Sequence, residues 1–177
     1  ASNSACLAFS ALLWELLDRK GKAPDRKWWL NRYVEIAADL EGDIEYEPRG
    51  GRFLGYKGPL WKYVQETLTW ADSNDLSVVE ACDAWRSGAF LLETVPSVLY
   101  ILMRHAHEPE EAMIRAINDT KDNDTVGAIV GAALGALYGR EAFPSRWITA
   151  LSGRTSTDDD GKVFEIIADA RREFWDV

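Results

Sequence analysis

The chain has few of the residues that build cross-links and soft-metal sites. Its 177 residues include two cysteines and two histidines. Cys6 and Cys82 are far apart, belong to no CxxC and each sit inside an apolar helical pattern, so neither a disulfide scaffold nor a zinc finger is supported. The expectation is two reduced, buried thiols in a cytosolic, hence cytoplasmic, protein. His105 and His107 lie near a predicted helix end, where imidazoles favour the terminal carbonyls over metal. Basic residues are outnumbered, 20 against 29 acidic, for a net charge of −9. Nucleic-acid affinity rests on clustered Lys and Arg, so the acidic surplus argues against a nucleic-acid partner. Long apolar runs are missing as well. Residues 126–139 form the longest, well short of the roughly 18 needed to span a bilayer, so no membrane partner is expected. The opening residues lack both the basic leading segment and the cleavage site of a signal peptide, and they begin inside a helical pattern without a Met. No fixed-period repeat is present.

Apolar residues make up 47% of the chain. A chain of this length can bury about 70% of its unfolded surface, enough for a core without staples. The apolar residues recur at helical spacing almost throughout, and clean alternation over a strand length is scarce, which predicts an all-α, compact multi-helix bundle. Helices are predicted over 4–20, 25–40, 60–72, 77–87, 93–105, 109–118, 124–140, 144–151 and 162–175. Leu7, Leu12, Leu13, Leu16 and Leu17 form the expected inner face of the first. Ser77 and Glu80 fit a capping box, and Pro96 falls early enough for a first turn. Glu93 is read as a cap of its helix, with a polar role near the neighbouring loop as the other possibility. Segment 41–59 contains Gly50, Gly51, Gly55 and Gly58 and reads as a long Gly-rich loop, a candidate rim or lid. Its Arg49, Arg52 and Lys57 could meet a pyrophosphate or face water, with water the favoured reading, while Tyr56 or Trp61 are candidates to flank a nucleotide.

The segment richest in chemistry is Asn118-Asp119-Thr120-Lys121-Asp122-Asn123-Asp124-Thr125, directly before the most apolar helix. Acids at a helix start can be mere caps favoured by the dipole. Three carboxylates in six residues also repel one another, and a hard divalent cation relieves that repulsion. Mg²⁺ takes oxygen ligands of the kind that Asp122, Asp124 and Thr125 supply from a turn. Behind them Gly127, Gly131, Gly135 and Gly139 recur every four residues. Each glycine in a helix interior costs about 1 kcal/mol against Ala, so close packing of neighbours against this stripe is expected.

These residues resemble a known family. Asp122-x-Asp124-Thr125, a Gly/Ala-rich helix, Tyr138-Gly139 and Pro144-x-x-Trp147 look like the C-terminal signature of the ADP-ribosylglycohydrolases, which include the enzyme that reactivates dinitrogenase reductase. Upstream, Ser87-Gly88-Ala89-Phe90 and the following Glu93-Thr94-Val95-Pro96 resemble the family's Ser-Gly-x-aromatic loop and its Glu-Thr-x-Pro helix. The resemblance implies an all-helical hydrolase with two Mg²⁺ ions that cleaves ADP-ribose from a modified protein side chain or a related ADP-ribosyl small molecule. By the motif match, Asp122, Asp124 and Thr125 would be metal ligands. Ser87, Gly88 and Ala89 would lie along the ADP-ribose, and Phe90 would line the pocket.

Two features depart from the family pattern. Thr120-Lys121 stands where Gly-Gly is usual, and the Lys121 ammonium is free to pair with Asp119 or reach a phosphate. Nothing before Asp122 supplies the family's Gly-Asp-x-x-Gly or Thr-Asp-Asp segments, and Thr157-Asp158-Asp159, behind the signature, reads as a solvated helix lead-in. The expectation is therefore that residues 1–177 form a single all-α domain that is the C-terminal part of a larger one. The catalytic residues would lie in an N-terminal half, in the same or a separate chain. The competing reading is a non-catalytic or degenerate helical module that binds a partner protein or a nucleotide.

Overall fold

Helical periodicity becomes helix nearly everywhere in the computed structural model, which describes residues 2–42, 44–154 and 159–174. Nine α-helices appear among these residues: α1 (Ser2–Asp18), α2 (Arg26–Glu41), α3 (Leu60–Ser73), α4 (Val78–Trp85), α5 (Leu91–His105), α6 (Pro109–Asn118), α7 (Asn123–Tyr138), α8 (Ser145–Ile148) and α9 (Lys162–Phe174). No strand occurs among the described residues; a lone bridge between Tyr46 and Gly58 closes the Gly-rich loop. The chain divides into two compact units, one ending at Ala142 and the other beginning at Phe143.

In the first unit α5 is the central element. It packs on α2, α3, α4, α6 and α7, and Leu92, Leu99, Ile101 and Leu102 are wholly buried. Polar groups taken into this core are satisfied: the Trp85 indole donates to Ser97 Oγ at 2.9 Å, and Ser97 donates to the Glu93 carbonyl at 2.7 Å. An unsatisfied partner here would cost about 1–3 kcal/mol. The Gly-rich loop is tied at its base by an unexpected cap. Buried Glu41, at the end of α2, accepts the Leu60 and Trp61 amides at 2.6 and 2.9 Å and so supplies the cap that Pro59 lacks. The predicted capping box of Ser77 and Glu80 is present.

Several expectations are corrected. On α1 the buried face is Ala5, Ala8, Leu12 and Leu16, while Leu7 and Leu17 are exposed. Cys82 is buried but Cys6 is exposed. α4 stops at Trp85 because Arg86 and Ser87 take φ of 81° and 43°. α5 begins at Leu91, which puts Pro96 inside the helix. α8 is a single turn. In the α7 stripe only Gly127 is crowded. A Cβ on Gly127 would sit 2.6 Å from the Ile117 Cδ1, and one on Gly131 3.5 Å from the Met113 sulfur, whereas Gly135 and Gly139 have nothing within 4 Å. Close packing is thus confined to the α6 side.

In the second unit the Gly153 carbonyl accepts the Val163 amide at 2.8 Å. Asp159 and Asp160 precede α9 and accept the Gly161 and Lys162 amides at 3.4 and 3.1 Å. Thr157, Asp158 and Trp175 lie outside the described residues.

Candidate functional site

The left-handed pair Arg86 and Ser87 turns the chain sharply at the end of α4. Such conformations cost of order 1–3 kcal/mol for non-glycine residues and persist only where surrounding contacts fix them. Here the contacts come from the acid turn. The Lys121 and Asp122 amides donate to the Ser87 carbonyl at 3.2 and 3.1 Å, and the Lys121 amide also lies 3.2 Å from Ser87 Oγ. Ser87 is 1% exposed. The two segments singled out by sequence, 87–90 and 119–125, are therefore directly joined, and Ser87 is the joint.

The rest of the loop is held from α5. Thr94 Oγ1 donates to the Gly88 carbonyl at 2.9 Å. The Phe90 carbonyl accepts the Glu93 and Thr94 amides at 2.7 and 2.8 Å. A Cβ on Gly88 would lie 2.5 Å from Glu93 Oε2, so a larger residue there would have to displace the carboxylate that Arg49 holds. Ala89 is exposed and reaches a cavity of about 650 Å³. Glu93 does not cap α5. It is buried, and its carboxylate accepts Arg49 Nε at 3.3 Å and Nη2 at 3.1 Å.

Asp122 occupies the N-cap position of α7 but makes no side-chain cap bond. One of its oxygens accepts the Thr125 hydroxyl at 3.1 Å. The other, Oδ2, is buried without a hydrogen-bond partner. Buried carboxylate oxygens are nearly always paired or coordinate a metal. The Asp124 carboxyl is held below the usual carboxylate range, first by the Thr125 amide at 2.8 Å and then by its interaction with the neighbouring Asp122 side chain. Asp122, Asp124 and Thr125 thus present hard oxygen donors, one of them unsatisfied, which suits one side of a Mg²⁺ shell. Among the described residues no group of three His, Cys, Asp or Glu side chains comes together.

Asp119 stands apart from this pair. It bonds Arg115 at 3.2 Å, and Lys121 Nζ lies 3.9 Å from Asp83 rather than beside Asp119. Burial pushes the His105 pKa down, and His107 Nε2 lies 3.6 Å from Glu108.

Asp122 and Thr125 line one end of the cavity. Its remaining walls come mainly from α1, α5 and α7, through side chains such as Phe9, Leu13, Val98 and Ile129. The hydroxyl of Tyr33, a buried residue that also lines it, has no partner.

The basic residues of the Gly-rich loop are exposed, as expected, yet each also has a protein partner. Arg49 pairs with Glu93, Arg52 lies over the Trp70 ring at 4.6 Å, and Lys57 sits between Glu45 and Glu47 at 3.2 and 3.8 Å. Tyr56 donates its hydroxyl to the Pro59 carbonyl at 2.5 Å and packs edge-on against Tyr63, while Trp61 belongs to α3. The Arg49–Glu93 contact spans 44 residues and had no local signal; the adjacency of Glu93 to the Ser-Gly loop was the only clue.

Fold and site together define an all-α protein whose two motif segments converge on an oxygen-rich turn. A sequence profile described as ADP-ribosylglycohydrolase matches residues 2–175, and the chain belongs to that family. Among curated proteins it is similar to the mouse ADP-ribosylhydrolase ARH3, 27% identical over 73% of this chain and 36% of that protein. The human ADP-ribosylhydrolase ARH3 is 26% identical over 73% of this chain and 39% of its own length. The Rhodospirillum rubrum ADP-ribosyl-[dinitrogen reductase] glycohydrolase is 29% identical over 47% of this chain and 28% of that enzyme. The chain therefore spans well under half the length of the curated relatives it matches. No solved structure matches it. No helix among the described residues is long and apolar enough to cross a membrane.

Proposed function

We propose that this chain is the C-terminal part of a larger all-α domain, that of a Mg²⁺-dependent hydrolase that removes ADP-ribose from a modified protein side chain or a related ADP-ribosyl compound. The observation that carries the reading is the buried, unpartnered Oδ2 of Asp122, at the start of α7 and tied through Ser87 to the loop that carries the second family motif.

The reaction consumes one water. The anomeric carbon gains a hydroxyl, its bond to the side-chain nitrogen or oxygen breaks, and the leaving atom takes a proton. In this reading Asp122, Asp124 and Thr125 hold one side of a two-ion Mg²⁺ centre. Such ions orient ribose hydroxyls and lower the pKa of a bound water. Gly88 and Ala89 run along the ADP-ribose, Ser87 fixes the loop to the acid turn, and Phe90 forms its far side. The remaining ligands and the water-activating acid come from an N-terminal half, in the same or a separate chain. The apolar walls of α1, α5 and α7 are the kind of surface that a further helix of such a domain would cover. Free Cys6 and Cys82 suit a reducing, cytoplasmic setting.

The test is Asp124→Ala in the full-length assembly, assayed for release of ADP-ribose from a modified protein, with helicity followed by circular dichroism. Loss of at least about a hundredfold in rate with helicity retained is expected, as for a metal ligand. Undiminished release would sink the assignment.

A further inference from the structure

One side chain of the Gly-rich loop reaches the start of α5. Arg49 extends its guanidinium onto the Glu93 carboxylate with two hydrogen bonds, Nε to Oε1 at 3.3 Å and Nη2 to Oε2 at 3.1 Å. The same guanidinium lies over the Phe90 ring, 4.5 Å from its centre. A two-pronged arginine contact fixes direction as well as distance, which a lysine cannot do. Glu93 is 5% exposed. Burial of an unpaired carboxylate is strongly unfavourable, so the pair is under pressure to stay closed.

The neighbouring backbone is shaped for this docking. The Arg52 amide donates to the Ala84 carbonyl at 2.8 Å. A Cβ on Gly51, at φ 83°, would strike that same carbonyl, and one on Gly50 would meet the Arg86 side chain. Two glycines thus let the loop lie directly on the end of α4, where the left-handed turn at Arg86 and Ser87 begins. On its other side that turn is held by the Lys121 and Asp122 amides. The Ser87–Phe90 loop is gripped between the Gly-rich loop and the acid turn.

We infer that Arg49 is a positioning residue: by latching onto Glu93 and Phe90 it holds the Ser87–Phe90 loop, and through Ser87 the acid turn, in the arrangement that receives substrate. This rests on the reading of that loop as the ADP-ribose contact. Residues 44–59 then belong to the site as its fixed outer wall and not as a free lid. The link runs from Arg49 to Glu93, from the Glu93 and Thr94 amides to the Phe90 carbonyl and from the Thr94 hydroxyl to the Gly88 carbonyl, then from the Ser87 carbonyl to the Lys121 and Asp122 amides.

The test compares the wild-type protein with R49A/E93Q, which removes the latch without leaving a buried charge, and with R49K, which keeps the charge but not the fork. Hydrogen exchange of single amides is read by NMR on the ligand-free chain, and ADP-ribose affinity is read by calorimetry with Mg²⁺ on the full-length assembly. In R49A/E93Q, exchange of the Arg52, Lys121 and Asp122 amides should accelerate about tenfold or more while amides in the middle of α5 keep their protection, as expected for a local opening. ADP-ribose affinity should fall about tenfold with Tm close to wild type, and R49K should recover part of both. Unchanged exchange at Lys121 and Asp122 would overturn the inference, as would uniform acceleration throughout α5. Accelerated exchange at these amides together with no ADP-ribose binding by the wild type would leave the latch standing and refute the substrate reading of the loop.

Discussion

Two acidic lead-ins open helices in this chain, and they behave differently. Before α9, Asp159 and Asp160 are exposed and turn their carboxylates onto the Gly161 and Lys162 amides, two residues ahead. Their oxygens serve their own helix start, as ordinary N-terminal caps do. Before α7, Asp122 stands at the cap position yet makes no cap bond, shares one oxygen with Thr125 and buries the other without a partner. The residue types are nearly the same. The difference is a second segment: the Ser87 carbonyl takes the Lys121 and Asp122 amides and fixes the turn's backbone, leaving the side chains for something else. Composition nominates both lead-ins, and packing selects one.

That contrast can be strained at matched glycines. Gly88→Ala puts a methyl group 2.5 Å from the Glu93 carboxylate and should cost about 1–3 kcal/mol, as overpacking does. It should also loosen the Lys121 and Asp122 amides. Gly161→Ala, at φ 66° with nothing within 4 Å, meets only backbone strain of about 1–2 kcal/mol and should leave those two amides unchanged. Urea melts with amide exchange separate the cases; equal exchange at Lys121 in both variants would erase the distinction.

A smaller effect lies in acid. The Asp124 carboxyl is held low by the Thr125 amide and by Asp122. Its folded pKa lies below the unfolded value of 3.8, so its contribution to stability is complete above pH 3.8 and is lost as pH falls through the folded value. Asp124→Asn should flatten the lowest part of the stability profile below pH 3.8, measured by urea melts. A profile of unchanged slope would show that the carboxylate is not held in this way.

Much of this was legible in the sequence, for identifiable reasons. Helix type follows from apolar spacing, and the Ser77–Glu80 box is local, so both could be read directly. The two motif segments were also visible, because their residues are adjacent in the chain. What could not be read was any contact between distant positions. Glu41 capping α3 across the Gly-rich loop, Arg49 reaching Glu93, and Asp119 turning back to Arg115 instead of joining Asp122 all depend on tertiary packing. The Gly stripe of α7 was half right for a similar reason: its period is a sequence property, but α6 covers only Gly127 and Gly131. Cys6 carried an apolar neighbourhood in sequence yet faces outward, since the helix turns Ala5 and Ala8 inward instead.

The central claim is that the turn before α7 is a cation site and the lead-in to α9 is not. Mn²⁺ in place of Mg²⁺ tests this directly, since its paramagnetism broadens the NMR signals of nearby amides. Titrated into the isotopically labelled protein, it should broaden the Asn123 to Val126 amides at concentrations that leave Gly161 and Lys162 sharp, and Asp122→Asn should abolish the selectivity. Broadening that begins at Gly161 and Lys162, or that reaches both segments together, would contradict it.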